Sequence, residues 1–274
     1  MERPDFSGVR VLLAEDNLIN QEVAVELLQV VGAVVDVSLD GLAAVACATR
    51  SPYDLVLMDV QMPGLDGLEA TRRIRLLPAH ARTPILAMTA NAFGEDRAAC
   101  LAAGMNDHIA KPVDPQQLYG LMQRWLNLAP GDWPQPTPPP PRPPIETGPL
   151  AVIPGLVMSR ALMYLPGRDE IFMRVLQRFA DDYYAGLPRI TALLASGEHR
   201  QARALVHTLR GSCGAIGAVN LSEQALAYEE ALERAERGGA DGNALADAER
   251  SLQRALAGLT GAIRSALRER PPGQ

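Results

Sequence analysis

The chain has 274 residues, 47% of them apolar, so its length favours two domains with ordinary hydrophobic cores. A net charge of −6 argues against a nucleic-acid-binding surface, and three cysteines without a close pair argue against a disulfide framework or a zinc site. Because no apolar run reaches membrane-spanning length and no signal peptide begins the chain, we expect a soluble, cytoplasmic protein without membrane insertion.

Strands and helices alternate through residues 1–129, the first predicted domain. The apolar runs predict strands at Val9–Ala14, Ala33–Ser38, Asp54–Met58, Pro84–Met88 and Asn106–Ile109. Helical spacing predicts helices at Asn17–Val31, Gly41–Arg50, Gly67–Leu76, Phe93–Ala103 and Asp114–Asn127. Five β-α units of this length predict an α/β fold, a doubly wound parallel sheet of five strands.

A proline-rich segment at residues 130–154 separates this domain from the rest. Half of the 22 prolines lie there, and such a segment favours the extended polyproline II conformation. We predict a semi-rigid spacer, with a PxxP ligand for an SH3-type domain as the alternative.

Residues 155–270 carry only helical patterns and form the second predicted domain. Helices are predicted at Phe172–Leu187, His199–Ile216, Leu221–Arg237 and Ala244–Leu267, with a shorter capping helix near Met158–Leu165. Short connections between such helices favour an antiparallel four-helix bundle.

Charged and polar side chains follow four of the five predicted strands. They are Glu15 with Asp16, Asp59, Thr89 and Lys111, and Lys111 is the only lysine among the 26 Lys and Arg residues. Ligands of a doubly wound sheet gather beyond the carboxyl ends of its strands. Three carboxylates there favour a hard cation such as Mg²⁺, and an ammonium and a hydroxyl suit phosphoryl oxygens. The set predicts phosphoryl transfer.

The stretches "LLAEDNLINQEVA", "YDLVLMDVQMPGLDG", "ILAMTA" and "NDHIAKP" resemble, in order and spacing, a response-regulator receiver domain of two-component signalling. The resemblance implies that Asp59 is the phosphoacceptor and that Lys111-Pro112 is a cis peptide. It assigns magnesium to Glu15, Asp16, Asp59 and the Gln61 carbonyl, phosphoryl contacts to Thr89 and Lys111, and a conformational switch to Thr89 and His108. For His108 the alternative is a half-exposed strand histidine without a signalling role.

His207 lies about 200° around its predicted helix from Leu205, opposite the apolar stripe, so it is not expected in the core. Gly211 and Gly214 leave the surface beside it bare, as close approach by another protein requires; tight helix packing is the alternative. The segment "HTLRGSCGAIGA" is similar to the histidine-phosphotransfer (HPt) motif, which implies that His207 is phosphorylated. Arg203 and Arg210 then lie where they can stabilise a phosphoryl group, although Arg210 replaces the usual lysine.

Together the two resemblances predict a phosphorelay protein without a kinase catalytic domain. Asp59 receives a phosphoryl group from an upstream sensor histidine kinase, and His207 passes it to a downstream receiver. The alternative is a regulatory binding module, in which phosphorylation of Asp59 controls only docking and His207 is phosphorylated separately in trans.

Other assignments fit less well. A haloacid-dehalogenase-type phosphatase needs a second aspartate where Gln61 stands, and a kinase dimerisation domain would need a following ATP-binding domain.

His80 and His199 have no catalytic or metal-binding residues around them in the sequence pattern, and they are predicted to be surface residues. The order of domains is also that of the C-terminal part of a hybrid sensor kinase, of which the chain could be a fragment.

Overall fold

The computed structural model describes residues 4–89, 95–126, 153–157, 169–237 and 242–268. Most of the predicted spacer, the whole predicted helix at Met158–Leu165 and the predicted helix start at Phe93 therefore lie outside the described residues.

Residues 4–126 form the predicted α/β domain. Its strands are β1 (Arg10–Ala14), β2 (Val34–Ser38), β3 (Leu55–Asp59), β4 (Ile85–Thr89) and β5 (Asp107–Ala110). Its helices are α1 (Leu18–Gln29), α2 (Gly41–Arg50), α3 (Gly67–Arg75), α4 (Glu95–Ala103) and α5 (Pro115–Trp125), with a 3₁₀ turn at Pro78–His80. The five strands are parallel in the order β2-β1-β3-β4-β5, which confirms the predicted doubly wound sheet.

Three strands, β3, β4 and β5, extend one residue further than predicted, and in β3 and β4 the added residue is polar. Asp59 pairs with Met88 and Thr89 pairs with Ala110, so both polar residues are the last members of buried strands rather than the first residues of loops. The backbone of each residue is consequently fixed by the hydrogen bonds of the sheet, which positions its side chain at the carboxyl edge.

Alternate strand residues face opposite sides of the sheet, as the period of two requires. Leu13 and Leu57 belong to the apolar cluster under α1 and α5, whereas Leu12 and Val56 belong to the cluster under α2, α3 and α4. The cluster under α1 and α5 also includes core residues of the helical domain, among them Phe172. The two domains therefore share continuous apolar packing.

The helical domain contains Ile153–Val157 and five described helices. They are α6 (Asp169–Tyr183), α7 (Pro188–Ala195), α8 (His199–Ala215), α9 (Val219–Glu236) and α10 (Gly242–Arg268). Helix α9 packs against α8 and α10, and α10 packs against α6, which gives the predicted bundle, while α7 lies beside α8. Within the described ranges, no helix is long and apolar enough to span a bilayer.

Helix α7 was not predicted, since no helix was assigned between Leu187 and His199, and the helix predicted at Phe172–Leu187 ends before Leu187. Helix α6 ends at Tyr183, and Gly186 adopts a positive φ of 76°. Pro188 then begins α7, because its missing N–H costs nothing in the first turn of a helix.

The surface prediction for His80 was wrong, since its side chain is fully buried between α2 and the loop before β4. Nε2 lies 2.9 Å from the carbonyl oxygen of Ala48, and Nδ1 lies 3.2 Å from Oγ1 of Thr83. The ring also stacks against Tyr53. His199 is half-buried at the start of α8. The burial of His80 was not evident from sequence, because a 3₁₀ turn has too few residues to show a periodic pattern.

Replacing His80 with alanine should destabilise the protein. The change leaves the Ala48 carbonyl and the Thr83 hydroxyl short of a buried partner, so we expect a loss of about 2 to 3 kcal/mol in the free energy of unfolding. Urea denaturation followed by circular dichroism measures it. Arg82→Ala, an exposed change two residues away, is the control, and equal stabilities of the two variants would contradict the assigned role of His80.

Candidate functional site

Four predicted residues meet at the carboxyl edge of the sheet. Carboxylate oxygens of Glu15, Asp16 and Asp59 all lie within 4.8 Å of one another. The ammonium of Lys111 lies 2.6 Å from Glu15 Oε2 and 2.6 Å from Asp59 Oδ2. The lysine therefore bridges the ends of β1 and β3 from the loop after β5.

Burial and mutual repulsion determine the charge state of this cluster. Burial, assisted by the charge of Glu15, raises the pKa of Asp16 to about 6. Burial also raises the pKa of Asp59, while Lys111 acts in the opposite direction. For Lys111 itself, burial lowers the pKa, but the adjacent Glu15 and Asp59 carboxylates outweigh this and raise it. The ammonium thus stays charged, and the edge still carries an excess of negative charge.

Thr89, Gln61 and His108 surround this cluster. Thr89 is buried at the end of β4, and its hydroxyl has no hydrogen-bond partner among the described residues. The Gln61 backbone N–H donates to Asp59 Oδ1 at 3.1 Å. His108 is half-buried on β5, with Nδ1 3.6 Å from the Asp107 carboxylate. The Lys111–Pro112 peptide is cis, as the receiver resemblance implied.

His207 lies on α8 beside a half-buried ion pair. Its Nδ1 lies 3.0 Å from Glu229 Oε1, while the other carboxylate oxygen of Glu229 lies 3.0 Å from Arg210. Arg210 also approaches Nδ1, but at 3.4 Å, so the carboxylate is the better placed partner. We therefore assign the Nδ1 proton to the bond with Glu229, which leaves the lone pair on Nε2.

Glu229 is ionised in this arrangement. Burial alone would raise its pKa, but the hydrogen bond from His207 and the charge of Arg210 outweigh burial and lower it. A carboxylate that accepts the Nδ1 proton holds both the tautomer and the orientation of the imidazole.

The two groups of residues face each other across the domain boundary. One cavity of about 230 Å³ is lined by Asp59, Val60, Gln61, Met88 and Thr89 from the α/β domain and by Arg203, His207, Arg210, Glu229 and Glu233 from the helical domain. A water molecule occupies about 30 Å³ in the liquid, so the cavity has room for a phosphoryl-sized group.

The glycines beside His207 lie against the α/β domain. A Cβ atom on Gly211 would meet Asn20 Nδ2 at 3.0 Å, and one on Gly214 would meet Pro112 Cδ at 3.3 Å. Both distances are shorter than ordinary contact distances, so a larger residue at either position would require its neighbour in the α/β domain to shift. The sequence predicted that another protein approaches these glycines; the surface that lies against them here belongs to the same chain.

The prediction that His207 lies outside the helical core is confirmed, although the apolar stripe of α8 differs slightly from the one expected. Leu209, Cys213 and Ile216 are fully buried, but Leu205 is only half-buried, and the neighbouring Val206 lies in the core.

Comparison with known proteins agrees with this architecture. Residues 11–123 match the model of the response regulator receiver domain, and residues 174–266 match the model of the Hpt domain. The chain joins a receiver domain to an Hpt domain. The α/β domain is the receiver, and the helical domain is the Hpt domain.

Relatives of the chain are sensor kinases. The signal transduction histidine-protein kinase BarA of Shigella flexneri is 29% identical over 82% of this chain and 24% of its own length. The sensor protein GacS of Pseudomonas syringae pv. syringae is 41% identical over 44% of this chain and 14% of its own length. The chain thus spans about a quarter or less of these two relatives.

Among solved structures, the receiver domain of the sensor histidine kinase PA1611 from Pseudomonas aeruginosa was crystallised with a magnesium ion in its active-site cleft. It is 46% identical and covers 44% of this chain and 99% of its own, with a TM-score of 0.43.

The donor set of the receiver edge fits a divalent cation of the magnesium type. It consists only of oxygen donors, three carboxylates within 4.8 Å of one another, and hard cations prefer such ligands. A single lysine does not neutralise the cluster, and the charge of Glu15 adds to the effect of burial in raising the pKa of Asp16.

Two residues around the site had roles that were not predicted from sequence. Glu229 lies on α9, and no sequence signal indicates which residue of α9 faces His207. Asn17 was predicted only as the first residue of a helix and as part of the quoted motif, although an Asn immediately before an apolar-periodic segment is a recognisable helix N-cap. Its second role, toward the Hpt domain, depends on how the domains dock.

Replacing Asp16 with asparagine should weaken magnesium binding at least about tenfold. The change is isosteric but removes one of three clustered charges, and a charge about 4 Å away contributes up to about 4 kcal/mol at an effective dielectric constant of about 20. Isothermal titration calorimetry with Mg²⁺ measures the affinity. Asp54→Asn, which removes the same charge at an exposed position, is the control. Equal affinities of the two variants would contradict this metal site.

Proposed function

We propose that the chain is a phosphorelay module in which Asp59 receives a phosphoryl group from a histidine kinase and His207 receives it from Asp59. One observation carries this proposal: both residues line the same cavity, each with the polar partners that its task requires. The receiver and Hpt matches support the same class of function.

The receiver residues divide the first transfer among themselves. Asp59 supplies the nucleophilic carboxylate, which Lys111 and the Gln61 N–H orient through one oxygen each. Lys111 and the unpartnered Thr89 hydroxyl then contact oxygens of the transferred phosphoryl group. A magnesium ion held by Glu15, Asp16, Asp59 and the Gln61 carbonyl would supply positive charge against those oxygens.

The second transfer moves the phosphoryl group from oxygen to nitrogen. The neutral His207 attacks through Nε2; the P–N bond forms as the P–O bond to Asp59 breaks, and the Asp59 carboxylate leaves as an anion. The proton on Nδ1 stays in its bond to Glu229, which stabilises the positive charge that develops on the ring. Arg203 and Arg210 line the cavity, and their positive charges can stabilise the negative oxygens of the transferred phosphoryl group.

The chain depends on partners at both ends of this relay. An upstream sensor histidine kinase supplies the phosphoryl group, since neither matched domain is a kinase catalytic domain. A downstream receiver takes it from His207.

His108 and Thr89 are proposed to report the state of Asp59 to the surface around β5. Thr89 pairs with Ala110 of β5, the strand that carries His108, so a change at Thr89 can reach that strand directly.

Labelling with a hybrid histidine kinase, labelled ATP and Mg²⁺ tests the relay. Wild type should carry an alkali-stable label on histidine, and either Asp59→Asn or His207→Gln should remove it. Asp59→Asn should remove all label, whereas His207→Gln should leave an alkali-labile acyl phosphate.

Two outcomes would contradict the relay. Histidine label in the Asp59→Asn chain would mean that His207 is phosphorylated in trans, as in the regulatory binding module. Acyl phosphate without any histidine label in wild type would mean that the two domains do not exchange phosphoryl groups.

Replacing Glu229 with alanine should slow the transfer to His207 by about tenfold to a hundredfold while leaving Asp59 phosphorylation unchanged. Without the carboxylate, Arg210 faces Nδ1, and the ring loses both its fixed tautomer and the charge that stabilises it. The measurement is the rate of histidine labelling across pH. Glu230→Gln, on the exposed side of the same helix, is the control. A rate equal to that of the control would contradict the role of Glu229.

A further inference from the structure

The receiver and Hpt domains are joined by one buried hydrogen-bonded contact. The side-chain amide of Asn17 donates to the backbone carbonyl of Thr208 at 2.8 Å and to Oγ of Ser212 at 2.7 Å. Asn17 is 5% exposed and Ser212 is 1% exposed. We call this contact, formed by Asn17, Thr208 and Ser212, the Asn17 clasp.

Asn17 uses every hydrogen-bonding position of its side chain. While the amide nitrogen donates both protons to the Hpt domain, Oδ1 accepts from the backbone N–H groups of Ile19 and Asn20 and caps α1. A fully satisfied buried amide fixes the orientation of its partners, because any displacement leaves polar groups without hydrogen bonds.

The position of the clasp connects it to both reacting residues. Asn17 directly follows Asp16 of the carboxylate cluster, and Thr208 directly follows His207 on α8. Among the described residues, a second polar bridge between the domains, Arg174 to Glu22 at 3.2 Å, lies at the surface, where ion pairs contribute little. The clasp is instead buried, and it adds hydrogen bonds of fixed geometry to the apolar packing between the domains.

The same contact covers the Hpt surface. Gly211 and Gly214 lie against Asn20 and Pro112 of the receiver, and the cavity between Val23, Pro112 and Ala215 measures only about 10 Å³, so the two surfaces are nearly in contact there. A second receiver cannot approach His207 over this face while the first is seated on it.

We propose that the Asn17 clasp is a selector between the two transfers of the relay. Closed, it positions His207 for the receiver of its own chain and excludes any other receiver; open, it exposes His207 to a receiver from another molecule. Asn17 and Ser212 are thus positioning residues, and the inference rests on the relay proposed above. Loosening the clasp should slow transfer within the chain and accelerate transfer between chains.

Asn17→Ser separates the clasp from the helix cap. Serine caps helices about as well as asparagine, so α1 keeps its N-terminus, but its shorter side chain loses the bridge to Thr208 and Ser212. Ser212→Ala removes one acceptor from the other domain. Asp114→Ser is the control, since it changes the N-cap of α5, whose described bond goes to Gln117 of the same helix.

Two assays on the whole 274-residue chain measure the rate of transfer within one chain and the rate of transfer between chains. For transfer within the chain, labelled acetyl phosphate and Mg²⁺ load Asp59. The rate is obtained from the time course with which label moves from acyl phosphate to phosphohistidine. For transfer between chains, a loaded His207→Gln donor is mixed with a size-tagged Asp59→Asn acceptor, so that label on the acceptor arises only from another copy.

With Asn17→Ser in every chain, transfer within the chain should fall about three- to tenfold, the range expected for one or two lost hydrogen bonds. Transfer between chains should rise by a similar factor, and Ser212→Ala should change both in the same directions by less. Loading of the His207→Gln donor should not change, which separates the clasp from an effect on the Asp59 site.

Unchanged rates in both assays, or a fall in both together, would overturn the selector. Failure of the proposed relay looks different: wild-type chains would then carry no phosphohistidine in either assay, although Asp59 is loaded.

Discussion

The fold places three carboxylates and one ammonium at a single buried edge, and the function of the chain depends on how their charges balance. Lys111 lies 2.6 Å from both Glu15 and Asp59, yet it cannot neutralise the whole cluster. Burial favours the neutral forms of the acids, which is why the pKa of Asp16 rises to about 6. In the proposed relay, a divalent cation would add the missing positive charge, and a phosphoryl group would accept hydrogen bonds from the donors that remain free.

The Hpt domain faces this charged edge with an imidazole that Glu229 holds in one tautomer. Nothing in the receiver alone would place that ring, since Asp59 and His207 belong to different domains. The docked arrangement depends on small features of α8: glycines that allow close approach, and a backbone carbonyl and a hydroxyl that accept the Asn17 amide. A phosphorelay built this way links the reactivity of His207 to its accessibility, because the surface that receives the phosphoryl group is also the surface that must release it.

The sequence predicted the receiver well for a physical reason. Strands buried on both faces are continuous apolar runs, and the residues at their carboxyl ends must meet at one edge, so Glu15, Asp59, Thr89 and Lys111 could be brought together without a structure. Prediction failed for elements too short to show a periodic pattern and for residues at contacts between helices. His80 lies in a single 3₁₀ turn without periodicity, and α7 lies beyond a break at Gly186 and Pro188 that a continuing apolar pattern concealed. Glu229 and the second role of Asn17 depend on packing between elements that are far apart in sequence.

The central claim is that Asp59 and His207 of one molecule form a single site. The concentration dependence of histidine labelling tests it most directly. Wild-type chain would be loaded at Asp59 with acetyl phosphate at protein concentrations spanning two orders of magnitude, and the rate of phosphohistidine formation per molecule would be measured. If the two residues form one site, the rate is first-order and does not change with protein concentration. A rate that rises in proportion to concentration would contradict it, because transfer would then require an encounter between molecules.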